Sequence, residues 1–278
     1  MEKRVTVKTF GEKKAAGQPI VMVTAYDYPQ ALAVDEAGVD AVLVGDSLTM
    51  TTLGRPDTLS ATMGEMIHHT RAVSKGVKRA LVIGDMPFMS YQVSPRETLQ
   101  NASRFLKEAG AQAVKLEWGS DALSATKLLV GNGIPVMGHL GFTPQHLNRF
   151  GGYGVQGKDR KSATDMIRAA KSLERAGAFS IVLELVPEDL ARRITVALRV
   201  PTIGIGAGPY CSGQVQVLHD LAGMNPDFRP KHAKAYADLH GVLKDAVSRY
   251  AREVRGKLFP TASGKRVTRN SIRGKNSR

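Results

Sequence analysis

Eight short apolar runs of strand length recur along the chain, and between them lie stretches whose apolar residues repeat at helical spacing. The runs predict strands over 20–27, 41–47, 80–88, 113–119, 135–141, 180–186, 201–208 and 215–220. Their Val, Ile and Leu content suits strands covered on both faces, as in parallel sheets. Helices are predicted over 28–37, 62–75, 94–109, 120–132, 163–176 and 188–198, with a last helical stretch, 231–255, to finish the wall. Strict alternation with right-handed crossovers leaves a closed barrel or an open doubly wound sheet, and eight units favour closure. The expected fold is a single-domain (β/α)₈ TIM barrel over 1–255, followed by a basic, disordered tail over 256–278.

Three of the helices end on the same pattern, with Gly38, Gly110 and Gly177 directly after the last turn. Glycine there takes a left-handed C-cap conformation, so these residues punctuate helices and are not sites. Pro95 and Pro187 stand near helix starts, the opposite asymmetry.

The formal net charge of +14 raises the question of nucleic acid. Its distribution answers most of it: eight of the Lys and Arg residues follow Val254, in a segment without a single acid. A solvated tail is the favoured reading of that segment, and contact with RNA, DNA or another polyanion the less favoured one. The single cysteine, Cys211, cannot pair within the chain, which points to a reducing compartment, the cytoplasm by default. Nothing in the first twenty residues resembles a signal peptide, and no apolar run is long enough to span a bilayer.

In a (β/α)₈ barrel the chemistry sits where strands end. The second and third runs finish alike, as Val44-Gly45-Asp46-Ser47 and Ile83-Gly84-Asp85. The fourth carries Lys115 and Glu117 two residues apart, hence on one face, read as inward. Asp46, Asp85 and Glu117 are therefore a candidate all-oxygen site for a hard cation such as Mg2+, against the alternative that they cap loops or pair with Lys and Arg. Lys115 among acids is suited to holding a substrate carboxylate, and the acids disfavour the neutral amine a Schiff base requires. Glu184, a charge inside an apolar run, is a candidate general base or the partner of a neighbouring cation. His139 reads equally as a site residue or a satisfied core histidine. Tyr26 and Asp27 at the first strand end, and His219 and Asp220 at the eighth, are further rim candidates. The turn Gly204–Gly208 lacks dinucleotide spacing, and the glycine-rich segment 150–157 is read as a lid or a mobile loop.

Taken in order, the blocks Val44-Gly45-Asp46-Ser47, Asp85-Met86-Pro87-Phe88, Val114-Lys115-Leu116-Glu117, Gly138-His139-Leu140-Gly141, Phe150-Gly151-Gly152-Tyr153, Glu184-Leu185-Val186-Pro187 and Gly204-Ile205-Gly206-Ala207-Gly208 closely resemble the ketopantoate hydroxymethyltransferase family over about residues 5–250. The resemblance implies a Mg2+-dependent transferase of pantothenate biosynthesis. Such an enzyme moves a one-carbon unit from 5,10-methylenetetrahydrofolate to 3-methyl-2-oxobutanoate, giving 2-dehydropantoate. It also implies a homo-oligomer, often a decamer. By similarity Asp46, Asp85 and Glu117 are the metal-site acids, Asp46, Ser47, Asp85 and Lys115 contact the 2-oxo acid, His139 lies beside it, and Glu184 accepts the proton.

Three positions depart from the family pattern: Trp118 for a usual Gly, Gly154 for a basic residue and Ser212 for an Asp. Trp118 is bulky enough to narrow the barrel mouth. The alternatives to hydroxymethyl transfer are a 2-oxo acid carbon–carbon lyase or mutase of the isocitrate lyase or phosphonopyruvate type, although the lyase motif Lys-x-x-x-Cys-Gly is missing, and a nucleic-acid binding protein acting through the tail.

Overall fold

The computed structural model describes residues 4–227 and 230–260. Eight parallel strands, β1 Ile20–Thr24, β2 Ala41–Val44, β3 Leu81–Asp85, β4 Ala113–Glu117, β5 Val136–Gly141, β6 Ser180–Glu184, β7 Thr202–Ile205 and β8 Gly213–Gln216, pair in sequence order. Pairing of β8 with β1 closes the barrel, so no sheet edge is left open.

Period-two alternation sorts each strand between two cores. Inward-facing Ile20, Met22, Leu43, Leu81, Ile83, Met137, Val182, Ile203 and Val215 fill the lower barrel, while Val42, Val44, Val82, Val114 and Leu116 face outward into an apolar layer under the helices. On β4 the same alternation turns Lys115 and Glu117 inward, above Ala113. The glycine of Gly84-Asp85 has a packing cause: a Cβ there would lie 2.2 Å from Cδ1 of Phe105 on the helix Pro95–Lys107.

A helix that sequence reading missed, Val7–Ala15, closes the bottom of the barrel. Thr6 and Thr9 form its capping box, and Phe10 is fully buried edge-on against Phe179, with ring centroids 5.4 Å apart. Lys13 Nζ sits 2.6 Å from both carboxylate oxygens of Asp40, tying this helix to the chain entering β2.

Two expectations at the far end are corrected. The last strand ends at Gln216, and His219 and Asp220 belong to a short helix, Leu218–Leu221. The final helix is Leu239–Arg255, shorter than the predicted 231–255, and none of its residues is buried, so it does not finish the wall of its own barrel. The tail's first residues fold back, with Phe259 edge-on to Tyr250 at 5.6 Å. The stretch from 261 onward, expected to be disordered, lies outside the described residues. The helix-ending Gly38, Gly110 and Gly177 all have positive φ, as the capping argument requires.

Candidate active site

The C-terminal ends of five adjacent strands deliver their polar residues to one buried pocket. Asp46 follows β2, Asp85 ends β3, Lys115 and Glu117 lie on β4, His139 on β5, and Glu184 ends β6. The strand register sets Asp85 beside Lys115 and Glu117 beside His139. Asp46, Asp85, Lys115, Glu117 and His139 are all buried. Glu184, expected inside an apolar run, keeps 17% of its side chain exposed.

The contacts form a continuous chain. Asp46 N donates to Asp85 Oδ2 (3.1 Å), and Asp85 Oδ1 lies 2.9 Å from Lys115 Nζ. Lys115 Nζ lies 3.2 Å from His139 Nδ1. His139 Nε2 lies 3.3 Å from Glu184 Oε2, and Nδ1 is 3.6 Å from Glu117 Oε1. Ser47 sits at the edge, its Oγ 2.8 Å from the buried Tyr26 hydroxyl, whose pKa burial pushes up to about 12.

Four carboxylates share this space with one lysine, and their charges dominate the local electrostatics. Burial, then repulsion from Asp85 and Glu117, lifts Asp46 well above the usual carboxylate range. Burial also raises Asp85, against the pull of Lys115. Burial alone would depress the Lys115 ammonium, but the surrounding acids outweigh it and hold the group charged. For His139, burial and Lys115 disfavour the imidazolium, yet Glu117 and Glu184 on either side bring its pKa to about 9.

Two site residues carry no charge and were missed from the sequence. Gln145, buried in the turn Pro144–His146, donates its backbone N–H to Glu117 Oε2 (3.0 Å) and its side-chain Nε2 to Asp46 Oδ2 (2.9 Å) and Met86 O (3.0 Å). Tyr91 donates to Gln145 Oε1 at 3.1 Å and accepts the Glu117 N–H at 3.2 Å. The only sequence signal was a polar residue just past a strand end, in a Pro-initiated turn.

Each of the three acids therefore has one oxygen fixed by an N–H donor. Of the others, Glu117 Oε1 is buried without a hydrogen-bond partner, and Asp85 Oδ1 has only the Lys115 charge beside it. A buried carboxylate oxygen without a hydrogen bond, in a region of excess negative charge, suits a hard cation. Among the described residues no three His, Cys, Asp or Glu side chains enclose an ion by themselves. A closed protein cage is not what Mg2+ requires, since it commonly takes one or two carboxylates and completes its shell with water and substrate.

Other rim candidates have structural roles. Asp27 caps the helix Tyr28–Glu36, accepting from Gln30 N at 2.8 Å. His219 stacks on Tyr26, ring centroids 5.3 Å apart. Trp118, partly buried, packs against the outer apolar cluster built on Leu140, Leu173 and Leu190. Ser212 bonds Thr202 through two backbone-to-hydroxyl contacts of 3.3 Å where β7 and β8 begin, away from the acids.

The ends of β5 and β6 approach closely at Gly141, which has φ +97° and would place a Cβ 2.1 Å from the Glu184 carbonyl oxygen. The same oxygen accepts the Phe142 N–H at 2.8 Å. Gly141→Ala is expected to cost roughly 3 kcal/mol through overpacking and backbone strain, read as a lower urea midpoint at unchanged slope. An unchanged midpoint would show that this junction yields freely.

A family model described as ketopantoate hydroxymethyltransferase matches residues 4–262. The chain is 55% identical over 257 residues to 3-methyl-2-oxobutanoate hydroxymethyltransferase of Carboxydothermus hydrogenoformans, covering 92% of this chain and 93% of the relative. It is 54% identical over 258 residues to the protein of that name from Dehalococcoides mccartyi, covering 93% and 92%. Among solved structures, phosphonopyruvate hydrolase in complex with oxalate and Mg++ superposes with a TM-score of 0.59 at 12% identity, covering 91% of this chain and 88% of that one. 2,3-Dimethylmalate lyase does so with a TM-score of 0.59 at 15% identity, covering 96% and 93%. At such identities the structural likeness speaks to the barrel alone, whereas the close relatives and the family match settle the lineage. The chain, a transferase, belongs to the ketopantoate hydroxymethyltransferase family.

Proposed function

We propose that this transferase moves a hydroxymethyl group from 5,10-methylenetetrahydrofolate to 3-methyl-2-oxobutanoate, in the cytoplasm and as a step of pantothenate synthesis. The observation that carries the proposal is the buried trio Asp46, Asp85 and Glu117 with Lys115 and the His139–Glu184 pair beside it. Asp46, Asp85 and Glu117 would hold Mg2+, which when bound supplies positive charge where negative charge develops on the 2-oxo oxygen.

Lys115, held charged by the acids, attracts the substrate carboxylate, and Asp46, Ser47 and Asp85 border the same space. The carboxylate of Glu184, the least buried of the four acids, takes the C3 proton of the oxo acid. His139 orients that carboxylate from 3.3 Å away. The C3 carbanion equivalent then forms a bond to the donor's methylene carbon, both C–N bonds of that bridge break, water supplies the hydroxyl group, and the two freed nitrogens take the proton removed from C3 and the remaining proton of water.

The test is protein, oxo acid and Mg2+ in deuterated water, with and without the folate donor. C3 hydrogen exchange is expected without the donor, and hydroxymethylated product only with it. Absence of exchange, or cleavage of a carbon–carbon bond without donor, overturns the proposal.

Gln145 fixes an oxygen of two of the acids, so Gln145→Ala is expected to weaken Mg2+ binding about 10- to 100-fold. Titration calorimetry on the variant reads this directly, and wild-type affinity would show the amide to be dispensable.

The homo-oligomer expected from the family has a candidate surface. The helix Leu239–Arg255 exposes Val242, Leu243, Val247 (64% exposed) and Tyr250, while the outer face of β1 exposes Val21. A second copy is the proposed occupant, because an uncovered apolar helix face and the exposed Val21 in one chain can each be buried by the other's copy. Val247→Asp is expected to shift the assembly to smaller species in light scattering, and an unchanged mass would remove this helix from the interface.

A further inference from the structure

The acids, Lys115 and Glu184 account for a small charged substrate but leave the second reactant without a place. The rim beside Glu184 offers one. Phe142, fully buried, follows β5, and its N–H is bonded to the Glu184 carbonyl oxygen. Over it lie Phe150, with ring centroids 5.5 Å apart and planes inclined by 36°, and Tyr153, at 4.9 Å and 34°. Phe150 and Tyr153 nonetheless remain 36% and 58% exposed.

Both ends of this aromatic segment are anchored to site elements. The Tyr153 hydroxyl reaches Met50 Sδ at 3.5 Å, on the short helix Leu48–Thr51 that follows Asp46 and Ser47. Gln156 N donates to the carbonyl of Leu185, the residue after Glu184, at 2.9 Å. The segment thus runs along the rim from the proposed base toward the metal-site acids. Gly151 and Gly152 turn the chain between the two exposed rings, with no atom within 4 Å of either Cβ position.

We infer that Phe150 and Tyr153, supported from beneath by Phe142, form a stacking shelf for the flat bicyclic ring of the one-carbon donor. A planar heteroaromatic ring gains most from aromatic faces that are already held in place, and two such faces stand exposed at the edge of the pocket. Stacking there holds the donor beside Glu184, next to which the segment is bonded at Phe142 and Gln156, without using any of the charged groups that hold the oxo acid. The inference rests on the hydroxymethyl-transfer reading.

Its test uses 5-formyltetrahydrofolate as a stable probe of the donor ring. Tyr153→Ala and Phe150→Ala are expected to bind the probe about 10- to 100-fold more weakly, the range for losing one stacked aromatic partner. Tyr153→Phe, which keeps the ring, is expected to bind within about threefold of wild type. C3 exchange of the oxo acid in deuterated water, which needs no donor, is read on the same samples and is expected to persist. Probe binding at wild-type strength in both alanine variants overturns the shelf. Loss of exchange in parallel with loss of probe binding also overturns it, since the segment would then serve the acid pocket. If wild-type protein binds the probe but shows no exchange, the hydroxymethyl-transfer reading fails instead, and the shelf fails with it.

Discussion

Glu184→Gln is expected to leave oxo acid binding intact and to slow C3 hydrogen exchange by about 10²- to 10⁴-fold, the usual contribution of a positioned general base. Glutamine matches glutamate in shape, so its carbonyl oxygen can still lie against His139 Nε2, as Oε2 does at 3.3 Å. What the variant loses is the capacity to take a proton and, with it, one of the two negative charges that raise the His139 pKa. Proton NMR of the oxo acid in deuterated water, with Mg2+ present, measures the exchange, and a parallel titration measures binding. Exchange at the wild-type rate would remove Glu184 from the chemistry.

Asp46→Asn is expected to have opposite effects on function and stability. Asp46 is buried and repelled by Asp85 and Glu117, so its charged form burdens the folded state. Because its folded pKa lies above the unfolded value, stability is lost as pH rises through that window, and at neutral pH the loss is present. Asparagine removes the repulsion and can still accept from Gln145 Nε2, the 2.9 Å contact of the native carboxylate. Metal-free Asp46→Asn is therefore expected to melt higher at pH 7, by about 2–4 °C for each 1 kcal/mol relieved. Mg2+ affinity should fall at least ~100-fold, since removing even an indirect partner of a ligand costs about 10- to 100-fold. A lower melting temperature would mean that the Asp46 charge is already compensated in the native pocket.

Much of this was legible in the sequence, for a physical reason. Parallel strands buried on both faces write themselves as continuous aliphatic runs, so Asp46, Asp85, Lys115, Glu117 and Glu184 stand out as charges that such runs do not otherwise tolerate. Gln145 and Tyr91 carry no charge and interrupt no periodicity, and their importance lies in hydrogen bonds to residues far away in the chain. The helix Val7–Ala15 was missed because only Phe10 of its residues is buried, leaving almost no amphipathic signal. The last helix was misplaced for the converse reason: its apolar face is plain in the sequence, but periodicity cannot say which surface it covers.

The inward pair Lys115 and Glu117 bears on how the barrel closes as well as on what it does. A slip of β4 by a single residue would swing both groups into the aliphatic layer beneath the helices, where neither finds a counter-ion, and would turn Val114 and Leu116 toward the polar cavity. The native arrangement tolerates some crowding of like charges, but every neighbouring alignment of that strand is far worse. The groups that prepare the pocket for its reactants thus also act as locating pins, rejecting the wrong shear while the eight strands assemble.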